Sequence, residues 1–262
     1  MTEDARDEGG SPEDSPQDAA ARDDAPGHDA LQDDAPQPVI VARGITMRGP
    51  RGPVYGPIDL DVDPGGVTVL NCPAGEGRTA LLMTLAGRMR PASGELQVLG
   101  SRDARQIFAR AALAGVDELD PLPESVTVGE VLTEQLRWRA PWYRRIRRAG
   151  LQDLERLCAP AFGELPLPPL EHETDDLAEL DALLLRIALA NADRPALLVV
   201  DGLDALTSDR DRQVALDRLI ELGREQTVVT ASVNDVSGRA VRAQLSVPNV
   251  VRTELAAREG SR

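Results

Sequence analysis

The chain has 262 residues, 42% of them apolar, and a net charge of −15, which suits one large folded unit or two small ones and argues against general nucleic-acid binding. All 29 basic residues are arginine, so chemistry that needs a lysine ammonium is excluded; with only His28 and His172 present, histidine-based catalysis has few places to occur. Cys72 and Cys158 have neither metal-ligand spacing nor a disulfide-framework count, no apolar run approaches a membrane span, and no signal segment opens the chain, so a reducing cytoplasm is the expected compartment.

Residues 1–38 hold 12 Asp or Glu, two Arg and five Pro, with almost no large apolar residue beyond Leu31. Such a stretch buries too little surface to offset its ordering entropy and is expected to be a disordered acidic tail. A solubilising role is favoured there over an interaction arm. A folded unit over 39–262 follows. Short apolar stretches at 39–42, 58–62, 67–71 and 95–99, separated by Gly and Pro, predict strands. Leu81, Leu82, Leu85 and Met89 recur at helical spacing and predict a helix over 79–89. A mostly helical middle, about 127–193, leads to Ala196-Leu-Leu-Val-Val200, a run typical of strands buried on both faces of a parallel sheet. A helix near 209–223 and a strand at 227–232 follow, so strand and helix alternate and the fold class is α/β with a helical insertion.

The strand Val67-Thr-Val-Leu-Asn71 runs into Cys72-Pro-Ala-Gly-Glu-Gly-Arg-Thr79 and then a helix, the context of a phosphate-binding P-loop. Backbone N–H groups and a helix N-terminus supply an anion nest there, which a cation and a hydroxyl complete. Against the usual pattern Cys72 replaces the first glycine and Arg78 replaces lysine, while Gly75, Gly77 and Thr79 are kept. Pro73, Ala74, Gly75, Glu76, Gly77, Arg78, Thr79 and Ala80 are the candidate phosphate-binding residues. Arginine keeps the charge but offers a planar fork in place of a point charge. Beside an anion, the Glu76 carboxylate would cost about 1–3 kcal/mol unless it turns outward.

These residues, with Ser93-Gly-Glu-Leu-Gln-Val-Leu-Gly100 and Pro195-Ala-Leu-Leu-Val-Val-Asp201, resemble the nucleotide-binding subunits of ABC (ATP-binding cassette) transporters over 39 to about 252. Leu177, 24 residues before Asp201, lies where the family's signature pentapeptide begins. The resemblance implies a P-loop cassette with a mixed sheet around the loop, a helical subdomain at about 118–193, and ATP with Mg²⁺ as cofactors. Thr79 and Asp201 fall on the family's magnesium-associated hydroxyl and carboxylate, oxygen ligands that Mg²⁺ prefers beside phosphate. The family's adenine-stacking aromatic matches close to Gly49, and Tyr55 is the nearest aromatic that could replace it.

Other matched positions depart from the family. Gly202 stands where the water-polarising glutamate falls, Val233 where the switch histidine falls, and Glu118 where the glutamine falls. Losing a general base alone lowers rates by roughly 10²–10⁴, so hydrolysis is expected to be weak or absent. Asp204 is either a displaced acid or, more simply, a capping or loop aspartate. The signature segment reads Leu177-Ala-Glu-Leu-Asp181, without the serine and glycines that let a second cassette close on the γ-phosphate, and this disfavours a symmetric ATP-sandwich dimer.

Three of the six aromatics and six arginines fall in Arg137-Trp-Arg-Ala-Pro-Trp-Tyr-Arg-Arg-Ile-Arg-Arg148, within the part that docks on membrane subunits in the family. Trp142, Ile146, Leu154 and Leu157 are expected to share one helical face, with Arg144, Arg145, Arg147 and Arg148 pointing elsewhere. Trp138, Trp142, Tyr143 and these arginines are candidates for a transmembrane partner, since Arg and Trp are enriched at interface hot spots; anionic lipid headgroups and a merely solvated arginine face are the other readings. The expected function is a cytoplasmic subunit, peripheral to the inner face of the membrane, that binds MgATP and couples to a transmembrane subunit. The alternative is a non-catalytic, cassette-shaped adaptor.

Overall fold

A computed structural model describes residues 37–250 apart from Glu118 and Ser237. The acidic stretch up to residue 36, residues 251–262 and Glu118 therefore lie outside the described residues. Strand β1 (Ile40–Gly49) turns tightly into β2 (Gly52–Val62), and β4 (Ser93–Val98) pairs on the other edge of β1, giving an antiparallel sheet in the order β2-β1-β4. Ile40 faces Val62 on one side and Val98 on the other, and this register turns Ile40, Ala42, Leu60, Val62, Leu96 and Val98 into one buried face.

The second sheet has five parallel strands in the order β5 (Ala111–Ala114), β6 (Leu197–Val200), β7 (Thr227–Ser232), β3 (Gly66–Asn71) and β8 (Ala243–Ser246). Its central strands are buried on both faces, as their unbroken apolar runs require. Leu70, Leu197, Val199, Val229 and Ala231 point to one core, shared with the antiparallel sheet and with helix α1 (Glu76–Leu85); α2 (Ala104–Arg110) adds Ile107 there. Val67, Val69, Leu198, Val200 and Val228 point to the other core. That core is built with α3 (Val128–Arg139), α4 (Leu151–Phe162), α5 (Glu179–Ala190) and α6 (Asp209–Leu222). The two strand directions thus fall in separate sheets, and the sheet that carries the loop at 72–75 is wholly parallel.

The helical region is interrupted where one continuous face was expected. Helix α3 starts at a capping box, with Glu130 N–H donating to the Thr127 hydroxyl and Thr127 N–H to the Glu130 carboxylate, and it stops at Ala140. Pro141 disfavours helical geometry in the residue before it, so residues 140–150 are irregular until Gly150 opens α4. Trp142 and Ile146 therefore do not share a helical face with Leu154 and Leu157. The two leucines are buried, whereas Trp142 is among the most exposed large side chains described.

Candidate functional site

The C-terminal ends of the parallel strands collect the site, the edge at which open α/β sheets place ligands. From Asn71 the chain leaves β3, and the Cys72 amide donates to the Ser232 carbonyl at the end of β7 (3.2 Å), fastening the loop to its neighbouring strand. Gly75 has φ 135°, open to glycine and not to other residues without strain, and lets the chain turn straight into α1. The Arg78 and Thr79 amides then donate to the Gly75 carbonyl at 3.0 and 3.3 Å.

The structure brings Thr79 and Asp201 together. The Thr79 hydroxyl donates to Asp201 Oδ2 (2.8 Å), and the Gly202 amide donates to Oδ1 (2.8 Å). Among the described residues no group of three or more His, Cys, Asp or Glu could hold a metal. A cation at Thr79 and Asp201 would therefore share its coordination with ligand oxygens.

Arg78 does not reach outward from the loop. Its guanidinium turns beneath the helix start, with Nη1 2.6 Å from Asp204 Oδ2 and Nη2 3.3 Å from Asp201 Oδ1, the three side chains being 9, 10 and 6% exposed. Asp204 lies in a short 3₁₀ turn, Leu203–Ala205, that brings its carboxylate back over the strand ends. There it also accepts from the Ser232 hydroxyl (3.0 Å) and the Val233 amide (2.9 Å). Arg78 Nε, equally buried, has no acceptor. The sequence alone offers Asp204 as an acid or a cap and marks no role for Ser232. The only sequence signal was an additional carboxylate three residues after Asp201, next to a strand whose partner ends in Ser232.

The remaining loop positions divide by exposure. Gly77 and Ala80 are buried within the first turns of α1, Pro73 and Gly75 are half-buried, and Ala74 and Glu76 are exposed. Glu76 does turn outward, pairing with Arg51 at 3.1 Å across a cavity of 430 Å³ between the β1–β2 turn and α1. Met47, Pro50, Pro53, Val54 and Met89 give that cavity an apolar wall without an aromatic ring. Tyr55 corrects the expectation of a stacking platform: it is 1% exposed, and its hydroxyl donates to Thr84 (2.8 Å) inside the first core. Alternation along β2 carries its ring inward, and burial pushes its phenol pKa up. Burial likewise pushes the Cys72 thiol up to about 11, with Arg78 only partly opposing, so the residue replacing the first glycine is a neutral packed thiol.

Two of the positions that the resemblance matches to catalytic groups, Gly202 and Val233, are described. Gly202 has φ 86°, and a Cβ there would lie 3.1 Å from the Gly115 carbonyl oxygen. Val233 has a half-exposed side chain and contributes only its backbone amide. In the signature-like segment Ala178 caps α5, and Glu179 accepts from the Thr207 amide (2.7 Å) and hydroxyl (2.8 Å), tying α5 to the loop that follows Asp204.

On another face Trp138, Trp142 and Tyr143 are 81, 95 and 73% exposed, with Trp142 and Tyr143 packed edge to face at 5.9 Å. Trp138 and Trp142 border a concavity of 860 Å³ together with Glu130, Glu134, Arg137 and Arg148. Arg147 pairs with Asp153 (3.1 Å), whereas Arg144 and Arg145 make no ion pair among the described residues. Among the described residues no helix is long and apolar enough to cross a membrane.

No protein-family model matches the chain. It is 29% identical to the hemin import ATP-binding protein HmuV of Bradyrhizobium diazoefficiens over 212 residues, 76% of this chain and 75% of the relative. It is 34% identical to the molybdenum import ATP-binding protein ModC of Thiobacillus denitrificans over 170 residues, 62% of this chain and 44% of the relative. Its fold matches an ABC transporter ATP-binding protein from Pyrococcus furiosus with a TM-score of 0.61 at 16% identity, over 79% of this chain and 96% of that one. The cbiO1 protein of Clostridium perfringens, part of the ABC transporter complex cbiONQ, matches with a TM-score of 0.58 at 15% identity, over 76% and 79% of the two chains.

Proposed function

We propose that the chain, which is similar in fold and sequence to ATP-binding subunits of ABC transporters, is such a cassette, that it binds MgATP at the 72–80 loop and hydrolyses it weakly or not at all, and that it couples to a membrane-embedded partner. The observation that carries this reading is the Thr79–Asp201 hydrogen bond at the end of β6, directly behind a strand–loop–helix turn. What supports the reading is the oxygen pair suited to Mg²⁺, the N-terminus of α1 directly after the loop, and the buried Arg78 Nε that lacks an acceptor. The cation's part, when bound, is to neutralise phosphate charge. Arg78 and the loop amides up to Gly77 would hold the phosphates, Thr79 and Asp201 the cation, and the cavity beside Met47 and Val54 the base. Gly202 and Val233 leave no side chain to position water or take its proton.

Membrane coupling would use the face with Trp138, Trp142, Tyr143, Arg144, Arg145, Arg147 and Arg148, against the inner side of the membrane; the exposure of its three aromatic rings supports this. A non-catalytic adaptor is the second reading. It is favoured by one contact, the Arg78–Asp204 pair, which a nucleotide must open. Calorimetry with MgATP decides between them. Micromolar or tighter binding that Arg78→Ala removes supports the nucleotide subunit, and no binding supports the adaptor. Magnesium-dependent phosphate release at an ordinary enzymatic rate, about 1 per second or faster, that disappears in Asp201→Ala would refute the weak-hydrolysis part.

A further inference from the structure

Three donors of different kinds converge on the Asp204 carboxylate: the Arg78 guanidinium at 2.6 Å, the Val233 backbone amide at 2.9 Å and the Ser232 hydroxyl at 3.0 Å. They come from the start of α1 and the end of β7, so the sheet would bring them together without Asp204. A cation fork, an oriented main-chain N–H and a hydroxyl are also the donors that bind phosphoryl oxygens. The carboxylate satisfies them incompletely, because Arg78 Nε remains buried with no acceptor. A tetrahedral oxyanion has more oxygens and more charge to offer the same fork.

The two acids differ in how their backbones are anchored. Asp201 is fixed by Thr79 and by the amide of its own neighbour, and its backbone N–H donates to the Ala114 carbonyl on β5. Asp204 belongs instead to a single 3₁₀ turn between β6 and α6.

We propose that Arg78, Ser232 and the Val233 amide form a phosphoryl-binding site that Asp204 occupies as a tethered anion, so that a phosphoryl group enters only by displacing this carboxylate. The inference rests on the reading of the 72–80 loop as a phosphate site and names the residue that sets its affinity. The shared ligand chemistry is a tetrahedral phosphoryl oxyanion, whether the end of a nucleotide or free phosphate.

The test titrates the full-length wild type, Asp204→Asn and Asp204→Ser with MgATP and, separately, with inorganic phosphate, following heat and thermal midpoint. Removing the tethered charge is expected to tighten MgATP binding at least about tenfold, or about 1.4 kcal/mol. A parallel gain for phosphate assigns the site to either source; a gain for MgATP alone assigns it to the nucleotide's own phosphoryl groups. Tightening in the variants when wild type binds nothing upholds the inference and sinks wild-type nucleotide binding. Wild-type binding that neither folded variant improves overturns the inference and leaves nucleotide binding standing. If both variants unfold, the Val233 amide resonance of the wild type, followed by NMR during MgATP and phosphate titrations, decides: displacement of Asp204 must move it, and an unmoved signal counts against the proposal.

Discussion

The strand ends around Arg78 and the face around Trp142 use the same residue types in opposite ways. In the first, arginine is buried among two carboxylates, a hydroxyl and a backbone amide, and nearly every donor has an internal acceptor. In the second, Arg144 and Arg145 have no partner among the described residues, and two tryptophans and a tyrosine face solvent. A substitution that breaks a pair in the first region should therefore register in stability as well as in binding. In the second it should register as lost binding alone.

The largest break in this contrast is Arg78→Ala, which leaves Asp201 and Asp204 buried without their cation. Removing one partner of a buried pair costs about 3–5 kcal/mol, to be read as a lowered urea midpoint without ligand. Arg78→Lys keeps the charge and should lose clearly less, although one ammonium cannot grip two carboxylates as a fork does. Next in size is Gly202→Glu, which places the family's acid at its matched position. Backbone strain at φ 86° should cost about 1–3 kcal/mol, and the Gly115 carbonyl 3.1 Å from the new Cβ adds crowding. The variant is therefore expected to melt earlier and to release no more phosphate from ATP than wild type does.

The parallel strands were legible because burial on both faces demands unbroken apolar runs, and Leu197–Val200 and Thr227–Ser232 have them. Strands β5 and β8 were missed for the converse reason. One is Ala111–Ala114, whose alanines carry little strand preference, and the other is the partly exposed Ala243–Ser246, whose alternation lasts only four residues. Thr79 and Asp201 could be paired on paper because each ends a recognisable motif. The Arg78–Asp204 contact could not, since it joins residues 126 apart in sequence and depends on a 3₁₀ turn that no periodicity signals. Pro141 was visible, yet the apolar spacing of Trp142, Ile146, Leu154 and Leu157 suggested a helix across it. The backbone preference before proline prevailed over the spacing.

The exposed face gives a smaller effect on folding and a separate optical signal. Trp138 and Trp142 are the only tryptophans in the sequence, so intrinsic emission reports this surface without labelling. Trp142→Ala should shift stability by no more than about 0.5 kcal/mol, because its ring buries almost nothing. Wild-type emission should be that of water-exposed indole and should move to shorter wavelength when the detergent-solubilised partner is added. Vesicles of phosphatidylglycerol, tested alongside phosphatidylcholine, show whether anionic lipid alone produces the shift. If neither lipid nor partner moves the emission, the assignment of this face to membrane coupling is wrong.

The smallest effect lies at the border of the buried region, where Glu179 holds Thr207 and hence the far end of the segment that presents Asp204. Hydrogen bonds from the Thr207 amide and hydroxyl depress the Glu179 pKa. A carboxylate with a lowered folded-state pKa contributes its stability above the unfolded value, about 4.3, and loses it as pH falls through the folded value below that. The wild type should therefore exceed Glu179→Gln in thermal midpoint at pH 7, and the two should converge as the pH is taken from 4 toward 3. Because Glu179 is exposed, the gap should also narrow in high salt. A gap independent of both pH and salt would mean that the Thr207 clamp works through shape alone, and that the segment carrying Asp204 is held by its 3₁₀ turn and not by charge.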